Sequence, residues 1–367
     1  MVNLMSNLLD STPRKDGFYM PGEFEKHAGS WMLWPERPDN WRLSAKPAQK
    51  VFAEVAAVIS QFEPVTMGVS AQQLQNARKM LPHSVRVVEI ASNDSWMRDC
   101  GPTFVTDRKT IRAVDWEFNA WGGLDGGLYF PWDLDDLVAR EVAEVAQIDR
   151  YKAPIVLEGG SINVDGEGAL LTTRECLLNK NRNPGKTQTE IEEILKDYLN
   201  VNQFIWLNRG VHRDETSGHI DNQCCFIRPG VVALTWTDDK SDPQHEISQE
   251  NYEILQSTVD AKGRKLEIHK IHQPNPVLIT EEESQGVTPV DGTLPRKAGD
   301  RMAASYINFY FCNGGVVVPT FNDSHDKLAL EKLQQLMPDR KVVCVYAREI
   351  LLGGGNIHCV TQQQPLC

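Results

Sequence analysis

Tyr306-Ile307-Asn308-Phe309-Tyr310-Phe311-Cys312-Asn313-Gly314-Gly315-Val316-Val317-Val318-Pro319-Thr320-Phe321 reads as two short strands joined by a tight turn at Asn313-Gly314-Gly315. Leu328, Leu330, Leu333 and Leu336 follow with the spacing of an amphipathic helix, and Val342-Val343-Cys344-Val345 is a further apolar strand. The unit is therefore hairpin, helix, strand. The same order recurs upstream, with hairpins over 161–172 around Asp165-Gly166, over 222–236 around Pro229-Gly230 and, more loosely, over 102–116 around Asp107-Arg108-Lys109. Their helices are marked by Leu134, Leu137, Val138, Val142 and Val145, by Ile191, Ile194, Leu195, Tyr198 and Leu199, and by Tyr252, Ile254, Leu255 and Val259. The closing strands are expected at 155–157, 204–207 and 266–268. A further copy can be built from Ser30–Trp34, a helix over 51–62 and a strand over 65–69. Thr187-x-x-Glu190 is a capping box that starts one of these helices. About five copies of one mixed α/β unit suggest a radial or linear repeat rather than a doubly wound nucleotide-binding sheet, since no Gly-rich phosphate loop follows a strand.

The chain has 367 residues, 41% of them hydrophobic, enough for an ordered globular protein. It reads as one domain over 1–367, with residues 1–16 as a flexible N-terminal extension. Met1–Leu9 lacks the basic start and long apolar core of a signal peptide, and no apolar run reaches the roughly 20 residues of a membrane span. The eight cysteines, at 100, 176, 224, 225, 312, 344, 359 and 367, form no C-x-x-C pair and read as reduced thiols in a cytoplasmic compartment. A net charge of −12 argues against nucleic acid as a partner and suits a small cationic substrate.

Polar residues gather where one unit hands over to the next: Trp96-Met97-Arg98-Asp99, Glu158-Gly159-Gly160, Gly218-His219-Ile220-Asp221 and Gly355-Asn356-Ile357-His358-Cys359. If the units surround an axis, these junctions meet near it, and Asp99, Glu158, His219, Asp221 and Cys359 share one pocket. Cysteine with histidine is an arrangement for nucleophilic catalysis. Three carboxylates do not help a protease stabilise an oxyanion, but they do suit a guanidinium, whose five N–H donors pair with carboxylates. Asp99 and Asp221 are the expected clamp. His219 and Asp221, two apart on an expected strand, would face the same ligand. Clustered carboxylates should raise the Cys359 pKa, so the thiolate would depend on bound guanidinium and His219.

His358, if its segment is extended, points away from Cys359 and reads as structural. Arg98 reads as scaffold paired with a carboxylate, and Cys224-Cys225 as core. His269 and His272 lack metal-ligand spacing.

Together with Cys100-Gly101-Pro102, His212-Arg213-Asp214-Glu215-Thr216-Ser217, Asn222, Phe118-Asn119-Ala120-Trp121-Gly122-Gly123 and Gly353-Gly354, these junctions closely resemble agmatine deiminases of the guanidine-modifying pentein superfamily. The resemblance runs from about Gly17 to Cys359. It implies a five-bladed α/β propeller of pseudo-five-fold ββαβ modules, with the active site on the axis. It also implies conversion of agmatine and water to N-carbamoylputrescine and ammonia, with no metal and no organic cofactor, and a homodimer. Cys359 would be the nucleophile and His219 the proton carrier. Asp99 and Asp221 would hold the guanidinium, and Glu158 would orient the guanidinium or His219. Gly355 would let backbone approach the flat guanidinium. The distal ammonium of agmatine would meet Asp214, Glu215, Trp96 or Trp121, by charge or cation–π attraction. An arginine or peptidylarginine deiminase, an amidinotransferase and a non-catalytic binding protein of the superfamily are the alternatives.

Overall fold

In a computed structural model, described for residues 6–367, the chain builds five separate mixed sheets. The first contains β1 (His27–Leu33), β2 (Val65–Val69) and β3 (Arg86–Glu89). β4 (Thr103–Thr106), β5 (Ile111–Glu117) and β6 (Arg150–Val156) form the second, and β7 (Ile162–Val164), β8 (Ala169–Thr173) and β9 (Gln203–Leu207) the third. The fourth is β10 (Cys224–Arg228), β11 (Val231–Trp236) and β12 (Glu267–His272). β13 (Tyr310–Cys312), β14 (Gly315–Thr320) and β15 (Lys341–Tyr346) make the fifth. In each of the last four sheets an antiparallel hairpin is followed by a crossover helix and a strand parallel to the second hairpin strand. The hairpin, helix and strand order read from the sequence is thus observed; β6 begins earlier than expected, at Arg150.

The first sheet obtains its hairpin partner differently. β16 (Thr361–Pro365) pairs antiparallel with β1, so strands from the two ends of the chain share a sheet. The crossover helices are Lys46–Ile59, Asp135–Ala146, Gln188–Leu199, Pro243–Ser257 and Asp326–Leu336. The expected capping box at Thr187 and Glu190 is formed in full. Each helix buries one apolar stripe, as Phe52, Val55 and Ile59 show in the first. β8, β11 and β14 are buried along their whole length, covered on both faces, which is why they read as near-continuous apolar runs. Cys224 and Cys225 lie in the core, as expected, and among the described residues every cysteine is a free thiol. No helix among them is long and apolar enough to cross a membrane.

Within the segment 1–16 expected as a flexible extension, the described residues make contacts with the second sheet. The Asn7 carbonyl accepts from Arg150 N, Leu9 N–H donates to the Arg150 carbonyl, and Asp16 pairs with Arg112 and Tyr151. The backbone groups of residues 7–9 extend the edge beside β6, which holds the segment down. Met1–Met5 lie outside the described residues.

Candidate active site

Four junctions end in a short turn immediately before the next hairpin or strand: Met97–Cys100, Gly159–Ser161, Ile220–Gln223, and the 357–360 turn ahead of β16. The first is closed by Asp99 N–H and Cys100 N–H donating to the Trp96 carbonyl, and Pro102 keeps Gly101 extended so that the helical turn stops there. The second is closed by the Ser161 hydroxyl and N–H on the Glu158 carbonyl. His219-Ile220-Asp221 is not a strand, contrary to the sequence reading: His219 is extended and Ile220–Gln223 is a helical turn, continued as strand only from Cys224.

The polar side chains nevertheless converge, and Gly160 measures how closely. A Cβ on Gly160 would lie 2.5 Å from His219 Nδ1, 2.8 Å from Asp99 Oδ1 and 2.9 Å from Asp221 Oδ2. Three side chains from two junctions thus close on a third, at a point that only a residue without a side chain leaves open. Gly355 does the same for the thiol: its Cβ would fall 2.4 Å from the Trp96 ring and 3.1 Å from the Cys359 Cβ.

Cys359 Sγ lies 3.5 Å from Asp221 Oδ2 and accepts a contact at 3.3 Å from Asn308 Nδ2. Burial pushes its pKa well up, and Asp221 and Asp99 push it further, so the resting group is a thiol. Asp99 Oδ1 accepts from Gly160 N–H and Oδ2 from the Trp121 indole, each at 2.9 Å. Burial, reinforced by Asp221 and Glu158 and opposed by His219, raises the Asp99 pKa to about 6. His219 is held between carboxylates, with Nδ1 3.9 Å from Asp99 and Nε2 3.5 Å from Glu158. Burial would lower its pKa, but Asp99, Cys176 and Glu158 together raise it well above the ordinary value.

Glu158 bridges Arg182 and His219. Its Oε1 accepts Arg182 Nε at 2.7 Å, and Arg182 in turn donates to the Thr216 carbonyl. Against the cost of burial, Arg182 and His219 hold the Glu158 pKa down to about 2. Glu158, Cys176 and His219 bring donor atoms within 4.8 Å of one another, a set with metal-ligand chemistry. Arg182 already spends its charge on the same carboxylate, so the set is built as a charged cluster beside His219.

A pocket opens over the thiol, lined by Trp96, Asp99, Trp121, Tyr129, Thr216, Leu294, Arg296 and Gly353–Gly355. Ala120 and Trp121 both adopt left-handed backbone angles, φ 52° and 62°, a strained pair that aims the Trp121 indole at Asp99. The expected tail contacts divide. Trp96 and Trp121 line the pocket. Asp214 is taken up by Thr216 and Asn222 of its own loop, and Glu215 lies beside Gly354 at the rim, clamped by Arg296.

Sequence reasoning missed Asn308, Arg182, Cys176 and Arg296. Asn308 had a signal: five repeats have five junctions, and the stretch from Tyr306, expected as hairpin strand, is a turn over 306–308 ahead of a β13 that starts only at Tyr310. This junction reads Ser305-Tyr306-Ile307-Asn308 and delivers its last residue to Cys359. His358 is a correction, since the segment turns instead of running extended, and its ring reaches Asp221. Arg98 is scaffold as expected, with Nη1 3.5 Å from Glu23 and its N–H on the Cys359 carbonyl.

The sequence pattern of the Porphyromonas-type peptidyl-arginine deiminase family matches residues 19–365. A Listeria monocytogenes protein provisionally named agmatine deiminase 1 is 63% identical over 359 residues, 97% of this chain and 99% of the relative. The agmatine deiminase of Pseudomonas aeruginosa is 57% identical over 358 residues, 97% of each chain. The chain is a member of the agmatine deiminase family. The solved structure of the Enterococcus faecalis agmatine deiminase superposes with a TM-score of 0.95 at 50% identity, covering 98% of this chain and 99% of that one. The mixed α/β fold described above is therefore that of agmatine deiminases, and every junction residue named here lies within the matched span.

Proposed function

We propose that this protein hydrolyses agmatine to N-carbamoylputrescine and ammonia through a covalent amidino-cysteine, in a single domain whose five sheets are the blades of a propeller. The observation that carries the reading is the closure of His219, Asp99 and Asp221 on Gly160, with the Cys359 thiol 3.5 Å from Asp221. Relatives named agmatine deiminase at this identity supply the substrate. Asp99 and Asp221 accept the guanidinium N–H groups, and the incoming positive charge favours loss of the Cys359 proton to water. The thiolate adds to the guanidinium carbon. The His219 imidazolium protonates one amino group, ammonia leaves, and an S-alkylthiouronium remains on Cys359. Neutral His219 then takes a proton from the attacking water. Collapse of that adduct breaks the C–S bond, releases the urea product and a proton, and returns the thiolate. Glu158, fixed by Arg182, orients His219.

The roofing of the pocket by Leu294 and Arg296, with Leu294 N–H bonded to the Leu128 carbonyl, favours a free small cation over an arginine within a peptide. The homodimer, which the resemblance implies, the cytoplasmic location, read from the cysteines, and a role in polyamine synthesis or agmatine use are part of the proposal. The test is mass spectrometry of denatured protein after brief exposure to agmatine, with rates on agmatine, arginine and a blocked arginine peptide compared alongside. An amidino adduct on Cys359, absent in Cys359→Ser, is expected; faster turnover of arginine or of the peptide would refute the substrate.

A further inference from the structure

Glu23, His358 and Asp221 form a buried chain that ends at the thiol. His358 Nδ1 is 2.9 Å from Asp221 Oδ2, and Nε2 is 2.9 Å from Glu23 Oε2. The same Asp221 oxygen is the one 3.5 Å from Cys359 Sγ. A neutral imidazole carries one N–H and one lone pair, and an ionised carboxylate only accepts. A neutral ring would therefore set a lone pair against a carboxylate at one end, whichever tautomer it took. A doubly protonated ring satisfies both ends at once.

We infer that His358 works as a permanently charged imidazolium, a positioning residue that holds Asp221 as an acceptor between ring and thiol, with Glu23 as the buried counter-ion that keeps the ring charged. The surroundings fit. The charged groups facing the ring are Glu23 from the segment ahead of β1, Asp221 from the turn ahead of β10, and Arg98 from the turn ahead of β4. His27 sits behind Glu23, with Nε2 on its carbonyl. Burial and Arg98 push the His358 pKa down, yet Glu23 and Asp221 leave it raised. Glu23 is correspondingly held to about 2, against burial, by His358 and Arg98. The backbone is clamped as well: His358 N–H donates to Asn308 Oδ1 at 3.0 Å, which fixes the turn that carries both the ring and Cys359. The two histidines then divide the work. His219 gives and takes protons; His358 keeps its proton and fixes the carboxylate that meets both substrate and thiol.

The inference rests on the hydrolytic reading above, and its test separates the two. Glu23→Gln removes the counter-ion while its amide can pair with Nε2 as acceptor to a charged ring or donor to a neutral one, so that the ring's charge alone is at stake. Its kcat/KM for agmatine should stay within about threefold of the wild type at pH 6. It should fall at least about tenfold below the wild type by pH 8.5, where an imidazole of ordinary pKa, about 6.5, is almost wholly neutral. The loss should be chiefly in KM. His358→Gln should lose about 30-fold at all pH values, the size of one charge-assisted hydrogen bond. Alkylation of Cys359 by chloroacetamidine, a cationic probe, should show the same new alkaline fall in Glu23→Gln, while alkylation by neutral iodoacetamide should not. In the wild type, 15N-histidine spectra should show His358 with both ring nitrogens protonated at pH 8. If Glu23→Gln gives a pH profile parallel to the wild type in both turnover and chloroacetamidine alkylation, or if the His358 spectrum is that of a neutral ring, the inference is wrong. If the wild type turns over no agmatine, the proposed function fails, and the alkylation profiles and spectra still decide the role of His358.

Discussion

Replacing Gly160 by alanine tests the convergence of the site with a single methyl group. Relative to ordinary contact at 3.4 Å, the new Cβ would be short by about 0.9 Å to His219 Nδ1, 0.6 Å to Asp99 Oδ1 and 0.5 Å to Asp221 Oδ2. No left-handed backbone angle is needed at this position, and the N–H that binds Asp99 is retained, so the substitution is steric rather than conformational. The three side chains are buried and tied to other modules, which leaves them little room to yield. Overpacking of this kind costs about 1–3 kcal/mol, tolerable for folding. The catalytic cost should be larger, because a misplacement approaching 1 Å at a reacting group reduces rate by roughly 100-fold. Ammonia release from agmatine gives kcat/KM, and urea unfolding gives stability. Retention of activity within about threefold of the wild type, in a variant shown to be folded, would mean that the three groups do not close on the substrate position.

Other expectations concern charge and the thiol. Asp99, raised to about 6 mainly by burial, is charged above that pH and protonated below it, so kcat/KM should fall on the acid side with a midpoint near 6; a flat profile down to pH 5 would remove Asp99 from the clamp. Arg182→Gln breaks a fully buried pair and should cost about 3–5 kcal/mol at pH 7. The Glu158 pKa, now about 2, lies below its ordinary 4.5, so its wild-type contribution is complete above pH 4.5 and lost as pH falls towards 2. In Arg182→Gln the Glu158 pKa should rise, so the deficit should shrink on acidification through that raised value, measured by denaturant unfolding from pH 7 to 4. Asn308→Ala removes a donor to Sγ and an acceptor for His358 N–H, and kcat should fall about 10- to 100-fold with KM less affected.

Much of the architecture could be read because each module writes the same local chemistry: a turn between β-branched runs, an apolar stripe at helical spacing, a short apolar strand. Even the meeting of Asp99, Glu158, His219, Asp221 and Cys359 followed from repeat geometry alone. What escaped was pairing between distant segments. Nothing local marks Thr361–Pro365, Thr-Gln-Gln-Gln-Pro, as a strand; it becomes one because β1 has an open edge. Asn308 looks like any residue before a hairpin until its module is counted. Arg182 and Glu23 were invisible because a buried ion pair is defined by its partner and by the loss of water around both. Asp214 and Glu215 show the same limit from the other side: their charge is legible in the sequence, but the partners that share it, Thr216, Asn222 and Arg296, are set by the fold.

The pairing of β16 with β1 ties the position of Cys359 to the closure of the first sheet. Cys359 stands two residues before the strand that seals the first sheet, and its carbonyl is held by Arg98 N–H from the far side of that seal. A chain stopped short of Thr361 would leave β1 with a bare row of hydrogen-bonding groups, an invitation to aggregate, and would release its nucleophile from the position that gives it a function. Such a fragment would betray itself by stickiness rather than persist as a half-active enzyme, so β16 acts as a clasp on the thiol it follows.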